Sequence, residues 1–312
     1  MRVLVITNMF PRAEDPSYGV FVAEQLRSLA AAGVTAEMYY IEGYRTRTAY
    51  FHALGELRRR RGYDVYHAHH AYAAAVAWLA GARPLVVTVH EGAVTHGRSY
   101  RAFARFIAAR ADRRIAVSPA LARALAPLAC DVIPIGIDLD LFRPRDRFAC
   151  RHELGWTADR TYVLFPADPA RPEKRFDLAR AAVAQANERG AAFELATLPP
   201  SSRSAVATYF GAADVAVVTS EFESGPLTVK EAVASGRPVV SRRVGDVDFL
   251  EQCPACVAVG DTPAEIADGL IRAAAIKNVD RAAVAPYELG AVARRLRVLY
   301  EEVRAHAASS NR

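Results

Sequence analysis

One pattern limits the fold more than any other feature of this sequence. Short, continuously apolar runs alternate with segments of helical periodicity, and the alternation runs through twice. The first pass reads as strands at residues 3–7, 37–41, 64–68, 85–90, 114–118 and 132–135. Helices at 20–32, 54–61, 71–80, 100–111 and 119–125 separate most of them. In the first helix Phe21, Leu26, Leu29 and Ala30 fall on one face, and Gly33 stops it. The second pass has strands at 162–166, 193–197, 215–219, 239–241 and 257–259. Its helices lie at 178–189, 204–211, 226–235 and 263–275. Strands that are apolar throughout belong to parallel sheets covered on both faces, so the class is α/β. Residues 138–151, rich in charge and proline, read as a connector. Residues 289–306 read as a long tail helix of mixed polarity.

The chain has 312 residues, enough for two domains and a large core. The apolar runs at 71–82 and 215–218 are too short or too broken to cross a bilayer, and the first residues read as a buried strand. A cytoplasmic chain is expected. Net charge is +6, and of 40 basic residues only Lys174, Lys230 and Lys277 are lysines. That balance suits an anionic partner: nucleic acid, a phosphate-bearing small molecule or an acidic membrane. No reading helix or aromatic platform for nucleic acid is recognisable, and none is expected as a partner. Cys253 and Cys256 have C-x-x-C spacing, but Cys130 and Cys150 do not complete a second pair and no histidine lies close. They read as buried or loop thiols.

Residues 219–232 read T-S-E-F-E-S-G-P-L-T-V-K-E-A, after a buried strand and at the start of a helix. Gly225 is expected as the N-cap and Pro226 as the first helical residue. The backbone N–H groups of Leu227 and Thr228 then lack intrahelical partners and, with the helix dipole, form an anion seat. Glu231 lies one turn deeper on the face of Leu227, about 6 Å along the axis. Glu223 stands just ahead of the helix. A nucleotide sugar has the matching layout of sugar, diphosphate and ribose. By spacing alone, two exposed surface acids fit as well.

The segment from Glu223 to Glu231 resembles the E-x7-E element of glycosyltransferase family 4, retaining enzymes of the GT-B fold. Five further segments resemble that family in the same order: 18–25, 64–69 with 88–92, 117–121, 132–144 and 170–178. The resemblance implies two Rossmann-like domains with parallel sheets facing across a cleft. An acceptor domain would span 1–138 and a nucleotide-sugar domain 139–288, with the helix of 289–312 crossing back to the first. It implies transfer of a hexosyl group from a UDP- or GDP-sugar to a glycan, lipid-linked or small-molecule acceptor, most simply in cell-surface polysaccharide synthesis. Glu223 would touch donor sugar hydroxyls, and Glu231 would hold the ribose. Lys174, helped by Arg171, would neutralise the leaving diphosphate, and the Gly225, Pro226, Leu227 and Thr228 backbone would complete the cradle. Gly19 would let the first loop approach the phosphates, and His90 would lie near the reacting sugar carbon. Catalytic roles therefore fall to His90, Glu223 and Lys174, with no metal or other cofactor.

Some features depart from the family. The second domain is trimmed near 195–204, where residues 197–203 replace a glycine-bearing loop and a strand. Gly19 stands alone in its loop after Tyr18. Pro169 occupies the place of a usual arginine, and Glu91 follows His90 where glycine is common. Two D-x-D triplets, Asp138/Asp140 and Asp246/Asp248, close no metal site, and His67, His69 and His70 read as packing or acceptor contacts. Arg58, Arg59, Arg60 and Arg61 form a basic run read either as a solvated helix face or as a rest on anionic membrane. Three alternative functions stand beside glycosyl transfer: a GT-B epimerase or phosphorylase, a non-catalytic basic binder, and a nicotinamide oxidoreductase. The last is set aside because no G-x-G-x-x-G turn follows the first strand.

Overall fold

The computed structural model describes every residue except 17, 91–93, 95–96, 311 and 312, together with the backbone alone at 310. The chain divides into two compact units: residues 1–136 with 289–312, and residues 137–288.

In the first unit the described strands form one six-stranded parallel sheet in the order β2-β1-β3-β4-β5-β6. These are β1 (Arg2–Thr7), β2 (Thr35–Tyr40), β3 (Val65–His69), β4 (Leu85–Val89), β5 (Arg113–Ala116) and β6 (Asp131–Val132). Side chains alternate across the sheet, as period-two geometry requires. Leu4 and Ile6 face one core with Leu57, Ala73 and Val87. Helices α2 (Ala49–Arg59), α3 (Ala71–Leu79) and α4 (Arg98–Ala108) supply that layer. Val3 and Val5 face the other, against Val22 and Leu29 of α1 (Val20–Ala31). Ala30, expected on the inner stripe of α1, is exposed. A short helix α5 (Pro119–Ala124) starts behind the cap of Ser118, whose hydroxyl accepts from Leu121 N.

The second unit carries a five-stranded parallel sheet in the order β11-β10-β9-β7-β8 among the described residues. Its strands are β7 (Thr161–Phe165), β8 (Phe193–Thr197), β9 (Val215–Val218), β10 (Val239–Arg242) and β11 (Cys256–Val259). Val163, Phe165, Val215 and Val217 pack on one side. Leu164, Ala216 and Val218 pack on the other, with Val229 and Val233.

The expected connector differs from what the structure holds. Residues Arg147–Leu154 form helix α6, capped by Asp146 and closed by Gly155 at φ +67°. Its charges are structural: the buried Arg151 guanidinium reaches Asp214 at 2.5 Å and the carbonyls of Ala212 and Ala158. The remaining helices are α7 (Phe176–Glu188), α8 (Arg203–Ala212), α9 (Leu227–Ala234), α10 (Val247–Gln252) and α11 (Pro263–Ala274).

The tail helix α12 runs Leu289–Ser310, longer than its sequence pattern, and buries Val292, Leu296, Leu299, Tyr300 and Val303 in the α1 side of the first unit. Its anchor is polar as well as apolar. The Tyr300 hydroxyl lies 2.6 Å from His67 Nδ1, and both residues are fully buried. Deleting that hydroxyl leaves a buried ring nitrogen without its partner, a loss of about 1–3 kcal/mol. Tyr300→Phe should lower the denaturant midpoint accordingly without altering the circular dichroism of the folded state.

Candidate active site

In an open parallel sheet, a crevice forms outside the carboxyl ends of two strands whose connections leave in opposite directions. In the second unit the chain passes from β7 to β8, then returns to place β9 on the other side of β7. The loops after β7 and β9 flank that point. Lys174 sits on the first, at the end of a 3-10 turn over Pro172–Lys174, and Glu223 on the second.

The two loops are tied together by four bonds. Lys174 Nζ donates to Glu223 Oε1 at 2.5 Å, an oxygen that also accepts from Ser220 Oγ within the second loop at 2.7 Å. The Thr219 hydroxyl bonds the carbonyls of Lys174 and Arg175 at 2.9 Å each, and Glu221 N donates to Glu173 O at 2.8 Å. Both charged side chains of the pair are only 17% exposed. Arg242 of β10 supports the second loop from below, donating to Ser220 O at 2.8 Å and pairing with Asp261 at 2.7 Å. The sequence reading missed Arg242, since an arginine at a strand end carries no motif.

The helix that carries Glu231 starts one residue later than expected. Pro226, at φ −64° and ψ 108°, is itself the N-cap, and Gly225 lies before it. The extended ψ of Pro226 makes Leu227 the first helical residue. The unpaired first-turn amides therefore still include those of Leu227 and Thr228. Gly245, at φ +73°, packs under this corner. A Cβ there would come within 2.6 Å of Pro226 Cδ and 3.1 Å of Glu223 Cβ. Glu231 is buried within α9 at 1% exposure, and Arg203 Nη2 donates to its Oε1 at 2.7 Å.

Arg171 does not join the Lys174 pair. Its guanidinium is more than half exposed and is held by Glu173 at 2.6 Å. Asp246 belongs to structure: Lys230 Nζ bonds it at 2.8 Å, both being nearly buried. Burial pushes the Lys230 ammonium below its usual pKa, and Asp246 opposes that shift. Asp138 Oδ1 caps the turn at Asp140 and Leu141. Cys253 and Cys256 are free thiols, the first buried and the second half-buried. Among the described residues no group of three His, Cys, Asp or Glu side chains is placed to hold a metal ion.

The first unit repeats the switch, with β1 between β2 and β3. Gly19 caps α1 at φ +64°, and any Cβ there would strike Met9 C at 2.4 Å and Phe10 N at 2.6 Å. That close approach makes glycine obligatory. His90, just past β4, is buried with its Nε2 2.8 Å from His69 Nδ1, and the Phe21 ring of α1 lies 4.7 Å from it. His67 spans Tyr300 and Thr88, with Nε2 2.7 Å from the Thr88 hydroxyl. Glu91 lies outside the described residues.

Residues 2–141 match the family model described as Glycosyltransferase Family 4, and residues 167–275 match that of Glycosyl transferases group 1. The fold matches sucrose-phosphate synthase of Thermosynechococcus elongatus at a TM-score of 0.78 and 19% identity, covering 98% of this chain and 99% of that one. The chain belongs to the family 4-like glycosyltransferases and has the GT-B fold. Another GT-B structure, Anabaena HepE in complex with UDP-glucose, matches at a TM-score of 0.72 and 17% identity, covering 99% of this chain and 100% of that one. A curated D-inositol 3-phosphate glycosyltransferase of Mycobacterium leprae is 33% identical over 229 residues, 59% of this chain and 53% of the relative. The Mycobacterium tuberculosis protein of that name is 31% identical over 267 residues, 71% of this chain and 52% of the relative. The chain thus spans about half the length of the curated relatives it matches.

The histidines of this GT-B chain give a pH dependence with a definite sign. Burial pushes His69 down to about 3. It also pushes His67 and His90 well below the ordinary 6.5, with neighbouring histidines adding to the shift. The unfolded rings take protons near pH 6.5 while the folded rings do not. The stability they confer is complete above the unfolded value and is lost as pH falls below it, each ring adding up to about 1.4 kcal/mol per pH unit. The melting temperature should fall steeply from pH 6.5 to 5, and His69→Asn should flatten that slope by about a third.

Proposed function

We propose that this chain moves a hexosyl group, with retention of anomeric configuration, from a UDP- or GDP-sugar to an acceptor hydroxyl. One observation carries the reading: Lys174 and Glu223 meet at the switch point of the second sheet, ahead of a helix whose buried interior holds Glu231. Cleavage of the sugar–phosphate bond builds negative charge on the departing diphosphate and positive charge on the ring. Lys174 and the first amides of α9 meet the former, and Glu223 orients the sugar through its hydroxyls. Glu231 accepts from the ribose. Arg171, salt-bridged to Glu173, adds little to the diphosphate in this conformation. The reading needs no metal, because the lysine supplies the charge.

The roles proposed for His90 and Gly19 rest on the family resemblance of their segments. The burial that keeps His90 uncharged suits a hydrogen-bonding role toward the sugar rather than proton transfer. Two acceptor classes draw on different observations. The N-terminal segment around Gly19 resembles that of enzymes building cell-surface polysaccharide, which favours a glycan or lipid-linked acceptor at the cytoplasmic face. The mycobacterial relatives are named for D-inositol 3-phosphate, which favours a small phosphorylated polyol. Membrane contact through the arginine run narrows to Arg58 and Arg59 of α2. Arg60 stacks over Tyr39, and Arg61 donates to the Gly81 and Ala80 carbonyls. Two arginines near an anionic surface contribute about 1 kcal/mol each. Among the described residues no helix is long and apolar enough to cross a membrane.

Calorimetry with UDP, GDP and NAD tests the donor reading. One nucleoside diphosphate should bind with a dissociation constant on the order of micromolar. Glu231→Ala should weaken it at least about tenfold, and NAD should not bind. Failure of both diphosphates to bind would remove the donor site and move a non-catalytic basic binder to the front.

A further inference from the structure

The carboxylate of Glu231 comes with a cation that the motif does not supply. Arg203 opens helix α8, directly after Ser202, whose side chain caps that helix by accepting from Ala205 N. It ends the segment 197–203, where the sequence is shortened relative to the family. Its Nη2 donates to Glu231 Oε1 at 2.7 Å; the Arg203 side chain is 19% exposed and that of Glu231 2%. The guanidinium carbon also lies 4.6 Å from the centroid of the Phe142 ring, which is fully buried. Arg203 is thus fixed at both its charge and its face, and Phe142 and α8 are parts of the rigid core of the second unit.

A carboxylate accepts hydrogen bonds in its own plane, at two oxygens. A ribose with adjacent hydroxyls is read well only if that plane is held. Glutamate has enough torsions to lose the alignment, and a bond from a guanidinium that itself lies over the Phe142 ring limits them in a way a freely rotating ammonium does not. We propose that Arg203 is a positioning residue for the donor ribose: it holds Oε1 of Glu231 so that the second carboxylate oxygen is presented to the ribose hydroxyls. This rests on the reading of Glu231 as the ribose acceptor and adds a specificity to it. The site discriminates ribonucleoside from 2′-deoxyribonucleoside diphosphates, because the deoxy form keeps only the 3′-hydroxyl and leaves a buried carboxylate oxygen one hydrogen bond short. That discrimination depends on Arg203 as much as on Glu231.

The test is the ratio of dissociation constants for the bound diphosphate, UDP or GDP, and its 2′-deoxy analogue. Wild type should favour the ribo form about 10- to 100-fold. Glu231→Gln should bring the ratio within about threefold, and Arg203→Met, which keeps an unbranched apolar side chain beside Phe142, should do the same. The double variant should be no worse than either single one, as for residues acting as one unit. Arg203→Lys keeps the charge, and with it the fold, and should retain only part of the ratio. A merely structural arginine would lower both affinities together and leave the ratio intact in any folded Arg203 variant. That result, or a wild type that binds the diphosphate without discriminating, overturns the inference while leaving the donor reading standing. A wild type that binds neither diphosphate overturns both.

Discussion

The ion pair between Lys174 and Glu223 is the point on which the second unit's site depends. Each residue lies on a loop that could move independently, since neither loop belongs to the sheet. The 2.5 Å contact, the Thr219 bonds to the Lys174 and Arg175 carbonyls and the bond from Glu221 N to Glu173 O make the two loops one body, and Ser220 fixes the Glu223 oxygen that Lys174 meets. A charge-assisted bond of this kind is worth about 1.5–3 kcal/mol when partly shielded from water. In the proposed reaction the same two groups part company: the ammonium turns to phosphate and the carboxylate to sugar. The pair then acts as a placeholder that keeps each side chain aimed at the crevice. Its rupture is compensated only by a ligand that offers an anion and a hydroxyl together.

The first unit is organised around a different constraint. His67 and His69 lie on β3 and His90 just past the end of β4, and burial disfavours the charged form of all three. Neutral imidazoles can pair with one another and with hydroxyls, as His69 does with His90 and His67 with Tyr300 and Thr88. Because Tyr300 comes from the tail helix, the histidine layer and the closing of the first unit by α12 are one structural fact.

Much of this was legible in the sequence, and the reasons are physical. Parallel strands buried on both faces leave continuous apolar runs, so all eleven described strands could be found, although β6 shrinks to Asp131–Val132. Glycines that require positive φ or close approach are visible when a helix follows, as at Gly19. Helix α6 was not read, because its buried arginine looks like surface charge until Asp214 is seen beside it; the Asp146 cap and Gly155 stop were the available signals. The E-x7-E spacing located Glu223 and Glu231. It said nothing of Arg203 or Arg242, whose partners lie 28 and 22 residues away. The basic run at 58–61 was over-read as one helix face because the helix ends at Arg59, after which Arg60 and Arg61 turn back onto the fold.

The central claim is that Glu223 restrains Lys174 until an intact nucleotide sugar separates them. The most direct measurement is the affinity of Glu223→Gln for the free nucleoside diphosphate and for the matching nucleotide sugar. The account predicts that the diphosphate binds as well as to wild type or better, because Lys174 is released to meet it. It also predicts that the preference for the sugar-bearing form is lost, because the carboxylate that reads the sugar is gone. If both affinities fell together, or if the preference for the nucleotide sugar survived, Glu223 would be neither the restraint nor the sugar contact.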